Sequence, residues 1–133
     1  SLQIPLNICV PKFTFLTALA GSTCLFRAAV GDIVGTDDGR RLVEHMYEEC
    51  LAVARAAGHA VPDQARSRAW TTLTQEGSPL TASMLRDLES GQRIEGAHIV
   101  GDMLRRAHEA GVKAPMLEVA WTHLQAFEAR RAR

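Results

Sequence analysis

The sequence feature that most limits the possible folds is an apolar stretch that runs from Phe13 to Val30. Arg27 is its only charged residue, and Ser22 and Thr23 add polar groups. These residues make the stretch too polar for a membrane span, and it lacks the pattern of a secretory signal peptide. Because apolar side chains would cover most faces of a helix here, we predict a central core helix from Phe13 to about Ala28.

The rest of the chain has helical patterns separated by glycine and proline. The clearest pattern repeats apolar residues every three or four positions, with Thr36 as its N-cap and Gly58 as its C-terminal stop. No segment alternates apolar and polar residues as a β-strand would. The sequence therefore predicts an all-α fold, a bundle of about six helices. The four later helices are expected over roughly 64–76, from a Ser78 cap and Pro79 to 89, over 94–110, and from Pro115 onward.

Charge and cysteine content exclude several classes of protein. The chain has 15 basic and 15 acidic residues, so no net charge attracts it to nucleic acid or to an anionic membrane. Its three cysteines form no Cys-x-x-Cys pair, which favours reduced thiols in the cytoplasm over a disulfide framework. The five histidines have no metal-ligand spacing, so we expect no metal site.

Four polar residues are candidates for chemistry, and each also has an ordinary structural explanation. Lys12 could be a surface lysine or a general acid held in a cleft. Ser83 could be a helix cap, and Asp87, one turn later, could pair with an arginine. Glu95 would suit the start of a helix, where a carboxylate is favourable. The residues alone leave these alternatives open.

Three segments resemble the ketopantoate reductase (2-dehydropantoate 2-reductase) family. Residues 83–95 read SMLRDLESGQRIE, which is similar to the family's S-M-x-x-D block with its later arginine and acidic residue. Residues 111–115 read GVKAP, which is similar to a G-V-x-x-P block before the last helix. Residues 12–21 read KFTFLTALAG, which is similar to the K-x-x-x-x-x-A-x-x-G stretch that opens the family's C-terminal domain.

The resemblance implies a fold like the C-terminal domains of 6-phosphogluconate dehydrogenase-like enzymes, and it implies a reaction. In that reaction NADPH reduces ketopantoate to pantoate, on the route to pantothenate and coenzyme A. By motif position Lys12 would be the catalytic lysine that protonates the ketone oxygen, and Ser83 would bind the substrate carboxylate. Glu95 would be a second catalytic residue, which orients the substrate or the lysine and touches the cofactor. Asp87 would belong with Ser83 to the substrate-binding residues, as a support for the short helix.

Two departures from the family pattern bear on the substrate and on the domain junction. Well-known members have asparagines four and eight residues after the lysine, where this chain has Leu16 and Ala20. This difference suggests a 2-oxo acid other than ketopantoate, or a divergent subfamily. Many members also have an aromatic and an acidic residue just before the lysine, where this chain has Val10 and Pro11.

The sequence contains no glycine-rich phosphate loop, neither GxGxxG nor GxxxxGK[ST]. We therefore expect residues 1–11 to be a lead-in at a former domain junction and residues 12–133 to be the helical domain. A Rossmann domain, in the same chain or a second one, would bind the NADPH. Without that domain we expect the chain to be inactive as a reductase.

The resemblance leaves two functions open. The chain could be the substrate-binding and dimerisation domain of a cytoplasmic, homodimeric reductase. It could instead be a non-catalytic helical module, derived from that domain, which self-associates through the surface that once met the missing domain. Nucleic acid and membrane partners are not expected in either case.

Overall fold

A computed structural model of the protein describes residues 9–94 and 96–133. These two ranges contain seven α-helices and no strand. The all-α prediction is therefore confirmed, with one helix more than expected. The helices are α1 (Val10–Phe26), α2 (Val30–Val34), α3 (Gly39–Ala56), α4 (Asp63–Leu73), α5 (Ser83–Glu89), α6 (His98–Glu109) and α7 (Pro115–Arg131).

Helix α1 is the centre of the bundle, as its apolar sequence predicted. It packs against all six of the other helices, α3 and α7 most extensively. Its threonines are buried without unmet hydrogen bonds because each hydroxyl donates to a carbonyl one turn earlier. Thr17 Oγ1 lies 2.8 Å from the Phe13 oxygen, and Thr23 Oγ1 lies 2.8 Å from the Leu19 oxygen. Helix α1 can therefore lie in the core although it contains threonines, because their hydroxyl groups are hydrogen-bonded.

Helix α2 was not predicted, because contacts with a distant segment fix it. The N–H of Val30 donates to the Leu80 carbonyl at 2.9 Å, and the N–H of Gly31 donates to the Ser78 carbonyl at 2.8 Å. A Cβ atom on Gly31 would lie only 2.5 Å from the Ser78 nitrogen. Glycine is therefore required at this close approach.

The same contacts explain why the predicted start of α5 was wrong. Ser78 and Pro79 do not open a helix, because their segment passes along the start of α2 instead. Helix α5 begins at Ser83, and its predicted end at Glu89 is confirmed.

Two other helix starts also differ from the prediction. Helix α3 begins at Gly39, and the Thr36 hydroxyl accepts the Gly39 N–H at 2.9 Å without being the N-cap residue. Helix α6 begins at His98, four residues later than expected. Gly96 has a φ of +79°, which a right-handed helix cannot include.

Buried polar groups connect α3 to two neighbouring helices. Both oxygens of the Glu49 carboxylate accept backbone N–H groups at the start of α7, from Met116 and Leu117, each at 3.0 Å. The indole N–H of Trp70 on α4 donates to Glu44 at 3.0 Å. These contacts fix the orientation of α4 and α7 on the core.

Some site types are not found in the part of the chain that the structure describes. No group of histidine, cysteine and acidic side chains there could hold a metal ion. No helix there is both long and apolar enough to cross a bilayer. Cys9, Cys24 and Cys50 are all free thiols.

Candidate functional site

Lys12 lies in the first turn of α1, not before the helix as expected, because α1 already begins at Val10. Its side chain is exposed and lines a groove between α1 and α4. Arg68 of α4 lines the same groove. Neither cation has an ion pair with any residue in ranges 9–94 and 96–133. The groove therefore presents two positive charges to solvent or to a ligand.

Ser83, the first residue of α5, lines a second hollow, which lies between α1, α5 and the start of α6. The hollow is open and has a volume of about 350 Å³. The preceding residue fixes this end of α5 to the core, because the Ala82 N–H donates to the buried Thr23 hydroxyl at 3.2 Å. The chain thereby holds the exposed Ser83 hydroxyl at the rim of the hollow.

One face of α1 joins the two hollows. Leu16 and Ala20 line the hollow that contains Ser83, whereas Lys12 lines the neighbouring groove. Residues four apart lie on the same side of a helix, about 6 Å apart along its axis. The lysine therefore lies one turn from Leu16, so the cationic groove and the hollow that contains Ser83 adjoin along α1.

A protein-family profile described as "Ketopantoate reductase PanE/ApbA C terminal" matches residues 7–128 of the chain. This match covers all of the helices except the last residues of α7. The chain belongs to the ketopantoate reductase family. The fold and the resemblance predicted from sequence are thereby confirmed.

Relatives and solved structures agree with this assignment. The oxidoreductase YkpB of Bacillus subtilis (strain 168) is 33% identical over 120 residues, which are 90% of this chain and 40% of that protein. A PanE/ApbA family ketopantoate reductase from Ralstonia eutropha JMP134 has a TM-score of 0.80 and 23% identity, covering 93% of this chain and 41% of that one. The dimeric ketopantoate reductase from Staphylococcus aureus has a TM-score of 0.79 and 23% identity, covering 92% and 43%. The chain thus spans about two fifths of the length of these relatives.

The family motif also indicates Asp87 and Glu95, and only Asp87 lies within the residues that the structure describes. Asp87 is half-buried on α5, one turn after Ser83. Burial, with smaller effects of the Asp87 and Glu89 carboxylates, raises the pKa of the nearby Cys24 thiol to about 12. That thiol stays protonated at neutral pH and is a poor nucleophile. Glu95 lies outside the described residues.

Sequence reasoning missed Arg68, which lines the Lys12 groove, and Glu128, which contacts the residue before Glu95 in sequence. Arg68 has no motif of its own and reaches the Lys12 groove only because α4 packs on α1. Glu128, near the end of α7, accepts the Ile94 N–H at 2.9 Å. The Ile94 hydrogen bond, with the nearby Arg131 guanidinium, holds the pKa of Glu128 below its ordinary value. Both contacts join residues that lie far apart in sequence, so no local sequence pattern predicts them.

Proposed function

We propose that the chain is the substrate-binding and dimerisation domain of an NADPH-dependent reductase that converts a 2-oxo acid to a 2-hydroxy acid. The observation that supports this most is the arrangement of α1 and α5. An exposed lysine and an exposed serine, from the motifs that mark the family's active site, border neighbouring hollows along one helix face. A ketone and a carboxylate one bond apart need two such donors close together.

The sequence contains no glycine-rich phosphate loop of the kind that cradles a dinucleotide. We propose that a Rossmann domain, in the same polypeptide or in a second one, closes the open side of the hollows. We call the two domains together the intact reductase. When bound there, NADPH would supply a hydride to the ketone carbon of the substrate.

The residues of this chain would hold the substrate and supply the proton. The Lys12 ammonium donates a hydrogen bond to the ketone oxygen and gives it a proton as the carbonyl electron pair moves onto that oxygen. The Ser83 hydroxyl donates to the substrate carboxylate. Glu95 orients the lysine or the substrate on the cofactor side, and Asp87 supports α5. One 2-oxo acid, one NADPH and one proton thus give one 2-hydroxy acid and one NADP⁺.

We further propose that the intact reductase is a cytoplasmic homodimer. The dimeric state of the similar Staphylococcus aureus reductase supports the homodimer. The two buried cysteines, which are free, suit a reducing compartment.

Replacement of the lysine tests the proposed function. In the intact reductase, we expect Lys12→Met to lower kcat by about 10²- to 10⁴-fold, because the proton donor to the ketone oxygen is lost. NADPH oxidation with a series of 2-oxo acids measures this. The chain offers a matched control, since its only other lysine, Lys113, lies on the exposed loop before α7.

We expect Lys113→Met to retain the activity of the unmodified protein. An equal loss in both variants, or full activity of Lys12→Met, would contradict the assigned role. A fully folded intact protein that reduces no 2-oxo acid, yet self-associates through this domain, would support the non-catalytic module instead.

A further inference from the structure

We infer that the intact reductase selects 2-oxo acids whose side chain is apolar and has no hydroxyl group. This inference rests on the proposed function and names the substrate class of that same site. Its basis is the distribution of polar and apolar side chains within the hollow that contains Ser83, which we call the serine hollow.

The floor of the serine hollow is apolar. Leu19 and Ala20 of α1, Met84 of α5 and Ile99 of α6 are all buried and line it. Leu16, half-buried, forms the side nearest the lysine. None of these side chains can donate or accept a conventional hydrogen bond.

The polar side chains of the serine hollow lie at its rim. Thr81, Ser83 and His98 line it, and all three are exposed. No charged side chain lines it among the described residues. Among the residues that the structure describes, the hollow therefore presents hydrogen-bonding side chains at its mouth and apolar side chains beneath.

This arrangement gives the two ends of a bound substrate different surroundings. The carboxylate and the ketone lie near Ser83 at the rim and Lys12 in the adjoining groove. The substituent beyond the ketone then extends over Leu16 toward Ala20, where it loses water and gains only apolar contacts. A hydroxyl group in that position would lose its bonds to water and find no partner on the α1 wall.

Two substrates that differ in one oxygen atom test this inference. Ketopantoate has a hydroxyl on its branched side chain, and trimethylpyruvate has the same branched carbon without the hydroxyl. We expect the intact reductase to favour trimethylpyruvate by about 10- to 100-fold in kcat/KM, the range by which an apolar pocket discriminates against an added hydroxyl. Equal values, or a preference for ketopantoate, would overturn the inference and leave the proposed function standing. Turnover of neither compound, nor of any other 2-oxo acid, would instead refute the proposed function.

Asparagine substitutions on α1 test whether the apolar wall causes the preference. An amide at Leu16 or Ala20 would offer the hydroxyl a partner. We expect the double variant Leu16→Asn/Ala20→Asn to shift the kcat/KM ratio toward ketopantoate by at least about 10-fold. Leu42→Asn, at a half-buried leucine of α3 outside the hollow, should leave the ratio unchanged.

A possible loss of folding in the double variant does not obscure the result. The single variant Leu16→Asn changes only a half-buried position, and circular dichroism checks its helix content. Because the measured quantity is a ratio of two substrates in one preparation, a partly unfolded fraction cancels. A ratio unchanged in folded Leu16→Asn and in the double variant would overturn the role of the α1 wall.

Discussion

Glu49 shows how a single residue can set the position of a whole helix. Its buried carboxylate accepts the N–H groups of Met116 and Leu117. These groups lie in the first turn of α7, where backbone N–H groups have no acceptor within the helix. The partial positive charge at a helix start also favours a carboxylate there. Sequence reasoning did not single out Glu49, because the donors that it serves lie far along the chain.

Replacement of Glu49 by alanine tests this contact. Glu49→Ala leaves the buried Leu117 N–H and the half-buried Met116 N–H without an acceptor. We therefore expect the free energy of unfolding to fall by about 1–3 kcal/mol. Thermal unfolding followed by circular dichroism measures the change. Glu48→Ala, at the exposed neighbouring residue, is the control and should stay within about 0.5 kcal/mol of the unmodified protein.

The ionisation of Glu49 gives this contact a pH dependence. Burial raises the pKa of Glu49 above its ordinary value of 4.5, and the hydrogen bonds from Met116 and Leu117 only partly oppose this. The native state therefore holds the proton more tightly than the unfolded chain. The resulting stabilisation is complete below the unfolded pKa and is lost as the pH rises through the folded pKa. We expect the unmodified protein to lose stability relative to Glu49→Gln as the pH rises above the ordinary glutamate pKa; the opposite trend would refute this.

At the scale of elements, the sequence predicted six of the seven described helices but misplaced several helix starts. The apolar stretch predicted α1 because that helix is buried on most sides. The spacing of apolar residues predicted α3 and α7 because each of these helices buries one side. The starts of α2 and α5 depend on contacts that no local pattern contains. The bonds of Gly31 to Ser78 and of Val30 to Leu80 are examples.

Glu128 connects the end of α7 to the segment that precedes Glu95. The contact is a hydrogen bond from the Ile94 N–H, supported by the Glu128–Arg131 ion pair at 3.2 Å. We expect Glu128→Ala to make the Ile94 amide exchange with solvent roughly three- to tenfold faster, because its acceptor is lost. Hydrogen exchange measured by NMR or mass spectrometry tests this.

The matched control for this prediction is Glu118→Ala, which removes a carboxylate of α7 that pairs with His108 instead. Exchange at Ile94 should not change in that variant. Because the pKa of Glu128 is lowered, its tether is present above the ordinary glutamate pKa and is lost as the pH falls through the lowered value. Equal exchange rates in both variants would contradict the tether.

At the scale of the whole molecule, the fold explains how distant motifs approach each other. Lys12 and Ser83 are far apart in sequence, and α1 brings them to neighbouring hollows because α5 packs along it. The motifs singled out both residues, but only the packing reveals that Leu16, one turn from the lysine, lines the hollow that contains Ser83. The cationic partner Arg68 likewise could not be predicted, since it depends on how α4 crosses α1.

The central claim is that Lys12 and Ser83 hold the same 2-oxo acid. A crystal structure of the intact reductase with NADP⁺ and a non-reducible 2-oxo acid analogue, such as oxamate, tests it directly. We expect the Lys12 amine within about 3 Å of the oxygen that replaces the ketone, and the Ser83 hydroxyl within hydrogen-bonding distance of the carboxylate. An analogue bound away from both residues, or bound by one of them while the other faces a different side of the bundle, would contradict the account.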